Sequence, residues 1–348
     1  MQTVYVGLSG GVDSSVAALL LKQQGYRVVG VFMKNWTKAI AGAQCPWRED
    51  LADAQRVAVE LDIPFKVFDF EREYKQLVVD YMLKEFSSGR TPNPDIICNQ
   101  EIKFKLFLDA SLQEGADLIA TGHYAKVKDS RLYMAQDEIK DQTYFLYRVT
   151  AQALAKTLMP IGDYIKQDIR ALAKEFNLPT AAKKDSVGIC FVGQVGIRDF
   201  LREYIPDVAP GQVILKKSGE ALGVHEGAIF YTIGQRHGLG IGGGKPLYVV
   251  GKDMEKNEVY VSDDPGDMSL YADIITITQA HWIGDPPQEG GKYQVRIRHT
   301  GKLTSCQIRK TGTGYLLTLE RPERAITPGQ SAVIYEGKLV MGGGVISA

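Results

Sequence analysis

Residues 9–15 read "SGGVDSS": two glycines and three serines around one aspartate, with little side-chain bulk between them. They follow the apolar run "VYVGL" and precede "VAALLLKQQG". A strand, a glycine-rich turn and a helix start make an anion site, because free backbone N–H groups and the helix dipole both favour negative charge. Glycine is required where a phosphate oxygen must approach the main chain closely. The stretch therefore reads as a phosphate cradle; a plain tight β–α turn is the alternative. It is not a Walker-type loop, since GxxxxGK[ST] occurs nowhere. "GLGIGG" at 238–243 matches GxGxxG, but strand-like "KPLYVV" follows it, so it reads as a β-turn.

Thiols are the second source of chemistry. Cys45, Cys98, Cys190 and Cys306 form no CxxC pair, which argues against a zinc ribbon or a thiolate cluster, and no metal site is expected. Cys98 lies in "TPNPDIICNQEIKF", where two prolines and an asparagine suppress both helix and strand. A loop ahead of a helix starting near Glu101 is expected there, with some exposure and a lowered thiol pKa. Cys190 lies in "KKDSVGICFVG", behind two lysines that favour a thiolate. For either cysteine alone a buried structural thiol is the plain reading. Cys45 and Cys306 carry nothing beyond it.

The elements that must position these groups change character along the chain. In the first part, short apolar strands ("VYVGL", "RVVGVFM", "FKVFDF", "DLIATGHY") alternate with helical patterns, among them "LADAQRVAVELD", "YKQLVVDYMLKEF" and "KQDIRALAKEFN". That alternation predicts a doubly wound parallel sheet with helices on both faces, an α/β fold. Residues 1–210 hold 13 glycines and residues 211–348 hold 23. There, short alternating runs such as "NEVYVSDD", "ITITQAHWI" and "YQVRIRH" replace helical periodicity. The division expected is a catalytic domain at 1–205, a small central β module at 206–270 and a C-terminal β-barrel at 271–348.

Lys plus Arg and Asp plus Glu both number 41 in 348 residues, so there is no global polycation. A nucleic-acid partner would need a local patch, and "KYQVRIRHTGK" supplies one. No signal-like start or membrane-length apolar run is present, so a cytoplasmic location without membrane association is expected. The Asn35 sequon is then a chance match.

"SGGVDSS" resembles the PP-loop of N-type ATP pyrophosphatases, which split ATP between the α and β phosphates and activate an oxygen as an adenylate. That alone leaves argininosuccinate, GMP and NAD synthetases, the tRNA-lysidine ligase and tRNA thiolases open. The two cysteine segments, with "MKNW", "TGHYA", "KDQTYFLY", "YTIGQRHGLGI" and "TPGQSAVIY", resemble the blocks of the bacterial tRNA-specific 2-thiouridylase family over essentially the whole chain. The resemblance implies ATP-dependent thiolation of C2 of the wobble uridine of tRNA, giving 2-thiouridine, AMP and pyrophosphate. Adenylation of the uracil O2 makes a leaving group, a persulfide on one cysteine supplies sulfur, and a second cysteine cleaves its S–S bond.

By matching position, Cys190 would carry the persulfide, Cys98 would be the partner nucleophile and Asp95 a proton carrier. Gly7, Leu8, Ser9, Gly10, Gly11, Val12, Asp13, Ser14, Met33 and Gly122 would contact ATP, bound as Mg-ATP. Asn93, Pro94 and Asp95 would meet the flipped-out base. His123, Lys140, Asp141, Gln142, Arg298, His299 and Gln330 would contact tRNA. The implied partners are tRNA and a persulfide-donating sulfur carrier or cysteine desulfurase, and a monomer is expected. A PP-loop ligase for a small molecule, which would need neither cysteine, is the rival enzyme. An RNA-binding protein with a vestigial nucleotide site is the rival without catalysis.

Overall fold

The computed structural model describes residues 1–40, 42, 45–185, 196–241 and 245–347. Its first layer is a five-stranded parallel sheet built from β1 (Thr3–Gly7), β2 (Arg27–Lys34), β3 (Phe65–Asp69), β4 (Leu118–Ala120) and β7 (Thr157–Leu158), in the order β3-β2-β1-β4-β7. Val4, Val6, Val31 and Ile119 are fully buried, because helices cover both faces. That double cover is why these strands read as apolar runs rather than alternating ones. The chain winds from β1 outward through β2 to β3, then returns to β4 on the other side of β1. The strand order therefore reverses between β1 and β4, where a doubly wound sheet opens a crevice at the strand ends.

Helix α1 (Val12–Gln23) starts at that point, and its Val16, Ala17 and Ala18 are buried, small side chains that let it pack close to the sheet. Helix α2 (Trp47–Glu60) buries Ala54, Val57 and Ala58, the i, i+3, i+4 stripe of a surface helix. A later helical run joins Pro94–Ile97, a π-helical stretch Cys98–Leu106, and Phe107–Gln113. This corrects the expected loop. Asn93 caps the run by accepting from the Asp95 N–H at 3.2 Å, and Pro94 takes the first helical position, where its missing N–H costs nothing. Cys98 consequently sits inside a helix and is 5% exposed, not on an open loop.

Residues 211–262 form a mixed four-stranded sheet of β8 (Gly211–Leu215), β9 (Glu220–His225), β10 (Tyr248–Asp253) and β11 (Glu258–Ser262), ordered β10-β11-β8-β9. Six antiparallel strands follow: β12 (Tyr271–Trp282), β13 (Tyr293–Arg296), β14 (Thr304–Lys310), β15 (Tyr315–Arg324), β16 (Ser331–Glu336) and β17 (Leu339–Ile346). They close into a barrel because β12 pairs with both β15 and β17. The hairpin of β5 (Ala125–Lys128) and β6 (Arg131–Met134) leaves the first layer and joins this sheet, with Tyr133 opposite Leu339 and Leu132 opposite Val340. Tyr144 and Tyr147, both buried, bond the barrel's Ser331 through their hydroxyls. Among the described residues no helix is long and apolar enough to cross a membrane.

Candidate functional site

The "SGGVDSS" loop occupies the crevice where the strand order reverses. Its shape is held internally: the Ser9 N–H donates to Ser14 Oγ at 3.2 Å, and Ser14 Oγ donates to the Gly11 carbonyl at 3.1 Å. Gly10 has φ of +74°, and a Cβ there would lie 2.4 Å from the Asp50 carbonyl oxygen of α2. A Cβ on Gly122, just past β4, would lie 2.6 Å from the Ser14 nitrogen. One on Gly7 would lie 2.9 Å from the Met33 methyl at the end of β2. The residues expected around a nucleotide thus converge on the N-terminus of α1. Bare backbone at a helix start suits a polyphosphate.

Asp13, in the first turn of α1, is enclosed by donors. Tyr124 Oη donates to its Oδ1 at 2.9 Å, and Lys166 Nζ donates to Oδ1 and Oδ2 at 2.7 and 2.8 Å. Lys166 also pairs with Asp185 at 2.9 Å, which in turn takes Arg170 at 2.6 Å and Lys140 at 2.9 Å. Burial works against the Asp185 charge, but the Lys140 and Lys166 ammoniums overcome it and hold the carboxyl well below its usual range. Lys183 ties Asp50 and Asp53 of α2 to the same rim. Sequence reasoning placed Asp13 here and Lys140 among the tRNA contacts, whereas the structure pairs Lys140 with Asp185; Lys166, Arg170 and Asp185 were not singled out. No local signal marks them, since Lys166 lies 153 positions from Asp13.

A second cluster of side chains begins one residue past Gly122. His123 is buried, with Nδ1 2.7 Å from Thr121 Oγ1 and Nε2 3.4 Å from Lys103 Nζ. A lysine ammonium only donates, so Nε2 accepts and Nδ1 carries the proton. Burial, reinforced by Lys103, pushes the His123 pKa well below its ordinary value, which keeps the ring neutral. Burial pushes Asp95 upward while Lys103 opposes it, the direction a proton carrier needs. Lys103, two turns beyond Asp95, was not singled out from sequence. Cys190 lies outside the described residues.

The residues expected to meet tRNA divide between surface and interior. Arg298 is about half exposed and donates to the Arg324 carbonyl at 3.1 Å. His299 packs on Phe145 with ring centroids 4.3 Å apart, and burial followed by Arg296 lowers its pKa. Gln142 Oε1 accepts from the Tyr124 N–H at 2.9 Å. Asp141 is fully enclosed: it accepts from the Ala135 N–H, the Thr143 hydroxyl and Arg296, the last at 3.0 Å. Its carboxylate holds the segment in place and presents no surface. Gln330 Nε2 donates to the Thr91 carbonyl at 2.7 Å, the Thr91 N–H donates to Pro328, and the Thr91 hydroxyl lies 3.3 Å from that of Thr232. All three modules meet at Thr91.

A doubly wound sheet with this glycine-bare serine loop at its order reversal defines a protein of the PP-loop fold class. Family models described as tRNA methyl transferase HUP domain, tRNA methyl transferase PRC-barrel domain and aminomethyltransferase beta-barrel domain match residues 2–194, 198–263 and 272–346. The tRNA-specific 2-thiouridylase MnmA of Bacillus subtilis (strain 168) is 47% identical over 351 residues, covering 99% of this chain and 94% of that protein. Its namesake in Methylobacillus flagellatus is 46% identical over 356 residues, covering 99% and 98%. The chain belongs to the tRNA-specific 2-thiouridylase family. Among solved structures, a 4-thiouridine synthetase–RNA complex with bound ATP superimposes at a TM-score of 0.39 and 16% identity over 59% of this chain and 51% of that one, a likeness too remote to argue from.

Proposed function

We propose that this enzyme replaces the C2 oxygen of the wobble uridine of tRNA by sulfur, using ATP to activate that oxygen. One observation carries the reading. Adjacent residues past β4 make two different contacts: Gly122 abuts the 9–15 loop at Ser14, and His123 meets Lys103 on the helix that bears Cys98. That adjacency supports a reading in which activation at the α-phosphate and sulfur delivery act on the same base.

ATP supplies the leaving group, the base oxygen departing as AMP after pyrophosphate has been released. The loop N–H groups and the α1 N-terminus hold the phosphates, and a magnesium ion bound with ATP would lie at Asp13. Asp95, with its raised pKa, moves the proton of the base. In the reading that the family resemblance supports, the terminal sulfur of a Cys190 persulfide bonds to C2 as the adenylated oxygen leaves. Cys98 then attacks the Cys190 sulfur, so that the S–S bond breaks toward the base and a protein disulfide remains. An external thiol must reduce that disulfide before the next cycle. tRNA docks on the β modules through Arg298 and its neighbours, and a persulfide-donating carrier protein or cysteine desulfurase loads Cys190.

The test combines tRNA, ATP and a persulfide donor with the full chain. The tRNA should gain the mass difference of sulfur for oxygen, and pyrophosphate release should require tRNA. Cys190→Ser should not load sulfur, whereas Cys98→Ser should load it and fail to transfer it. Pyrophosphate release without RNA would favour a small-molecule ligase and sink the assignment.

A further inference from the structure

We propose that Lys166 is a phosphate-binding residue of the nucleotide site, shared between Asp13 and Asp185 and handed to the pyrophosphate portion of ATP when nucleotide binds. The inference rests on the nucleotide reading of the 9–15 loop. Lys166 stands on the first residue of the helix Lys166–Glu175, with its side chain only 12% exposed. Its three ammonium protons have three acceptors: both Asp13 oxygens at 2.7 and 2.8 Å, and Asp185 Oδ1 at 2.9 Å. Its backbone is fixed separately, by donation of its N–H to Asp137 Oδ2 at 2.9 Å. The side chain can therefore change partner without moving the helix.

The charges around it favour such an exchange. Lys140, Lys166 and Arg170 pair with Asp13 and Asp185, while Asp137 is engaged by the Lys166 backbone N–H, so the three cations are shared between two side-chain acceptors. An oxyanion entering the cradle would meet the Asp13 carboxylate first, and like charges at that range repel unless a cation stands between them. Asp13 keeps the Tyr124 hydroxyl when Lys166 leaves it, and Asp185 keeps Arg170 and Lys140. Each carboxylate thus remains bonded after the exchange. An ammonium on a flexible four-carbon stem is suited to the transfer.

The alternative role, neutralising Asp13 alone, predicts the opposite sign. Without Lys166, Asp13 would be free for a divalent cation, and Mg-nucleotide would bind more tightly. Isothermal titration of the full chain with ATP, pyrophosphate and AMP in Mg²⁺ separates the two. Lys166→Met should weaken ATP and pyrophosphate binding about 10- to 100-fold, the span of one charge-assisted hydrogen bond, and AMP binding far less. Lys166→Arg should recover part of the loss.

Asp185→Asn removes a competing carboxylate and keeps Lys166, so it should tighten pyrophosphate binding, and the gain should vanish in the Lys166→Met background. This second variant decides the matter should Lys166→Met fold poorly. Unchanged or tighter ATP binding by Lys166→Met, or weaker pyrophosphate binding by Asp185→Asn, overturns the inference alone. A wild type that binds none of the three ligands overturns the nucleotide reading and the inference together.

Discussion

Gln330, on the barrel, donates its side-chain amide to the backbone carbonyl of Thr91 at 2.7 Å across 239 positions of sequence. Thr91 lies just ahead of Asn93, the cap of the helical run that carries Asp95 and Cys98. Both β modules therefore grip the entry to the helix that carries Cys98. Gln330→Ala should slow thiolation about 5-fold, the value of one neutral hydrogen bond near 1 kcal/mol, with ATP affinity unchanged. Alkylation of Cys98 by iodoacetamide should quicken in the same variant. An unchanged alkylation rate would show that the grip does not position the thiol.

The Asp141–Arg296 pair is the most enclosed ion pair described, with side chains 0% and 8% exposed. Asp141→Ala would strand a buried guanidinium and should cost about 3–5 kcal/mol in urea unfolding. Arg298→Ala, on a half-exposed side chain, should cost little by the same measurement. A mild effect of Asp141→Ala would return that residue to the surface role expected from sequence.

Arg298 should matter for RNA instead. If it neutralises a backbone phosphate, Arg298→Ala should weaken binding of all substrate tRNAs and reduce the salt slope by roughly one unit. Filter binding across a salt series measures this. An unaltered slope would place the tRNA path elsewhere.

Four histidines, His123, His225, His281 and His299, have pKa values lowered first of all by burial. A histidine held neutral in the fold takes up its proton more readily once unfolded. Stability is therefore present above the ordinary value of 6.5 and is lost as pH falls below it, toward the folded values. Urea midpoints should drop between about pH 7.5 and about pH 5.5 with the m-value unchanged, and His123→Gln should shrink the drop. A midpoint flat over that interval would contradict the burial argument.

Asp95 has the opposite sign. Its raised pKa means that the ionised carboxyl strains the fold, a cost absent below the ordinary value of 3.8 and complete once pH exceeds the folded value. Asp95→Asn should melt higher than wild type at neutral pH, lose that advantage in strong acid, and be unable to complete thiolation. Equal melting temperatures at neutral pH would remove the case for Asp95 as a tuned proton carrier.

What could be read from sequence follows the range of the interactions. The parallel sheet was legible because strands such as β1 and β2 are buried on both faces and so are continuously apolar. The strand–turn–helix geometry at residues 9–15 was legible because Gly10 and Gly11 stand between a strand and a helix. The start of the Cys98 helix was misread because Asn-Pro serves equally as a helix breaker and as cap plus first residue, and only the fold decides between them. The turn of the β5–β6 hairpin had a local signal, Asp129 and Ser130 at positive φ, but its barrel partner lies far away in sequence. Lys166 looked like any lysine of an amphipathic helix, since both carboxylates that claim it arrive through tertiary folding.

The pairing of Tyr133 with Leu339 has a consequence for synthesis of the protein. At about 5–20 residues per second, strand β6 leaves the ribosome on the order of tens of seconds before β17 exists to cover its edge. During that interval the hairpin is an open template for the strands of neighbouring nascent chains. Lys126, Lys128 and Arg131 line it, the charge placement that discourages edge-to-edge pairing. Translation pauses within residues 135–338 should accordingly be more harmful to yield than pauses before β5, with Lys126 and Lys128 acting as guards of the half-made molecule.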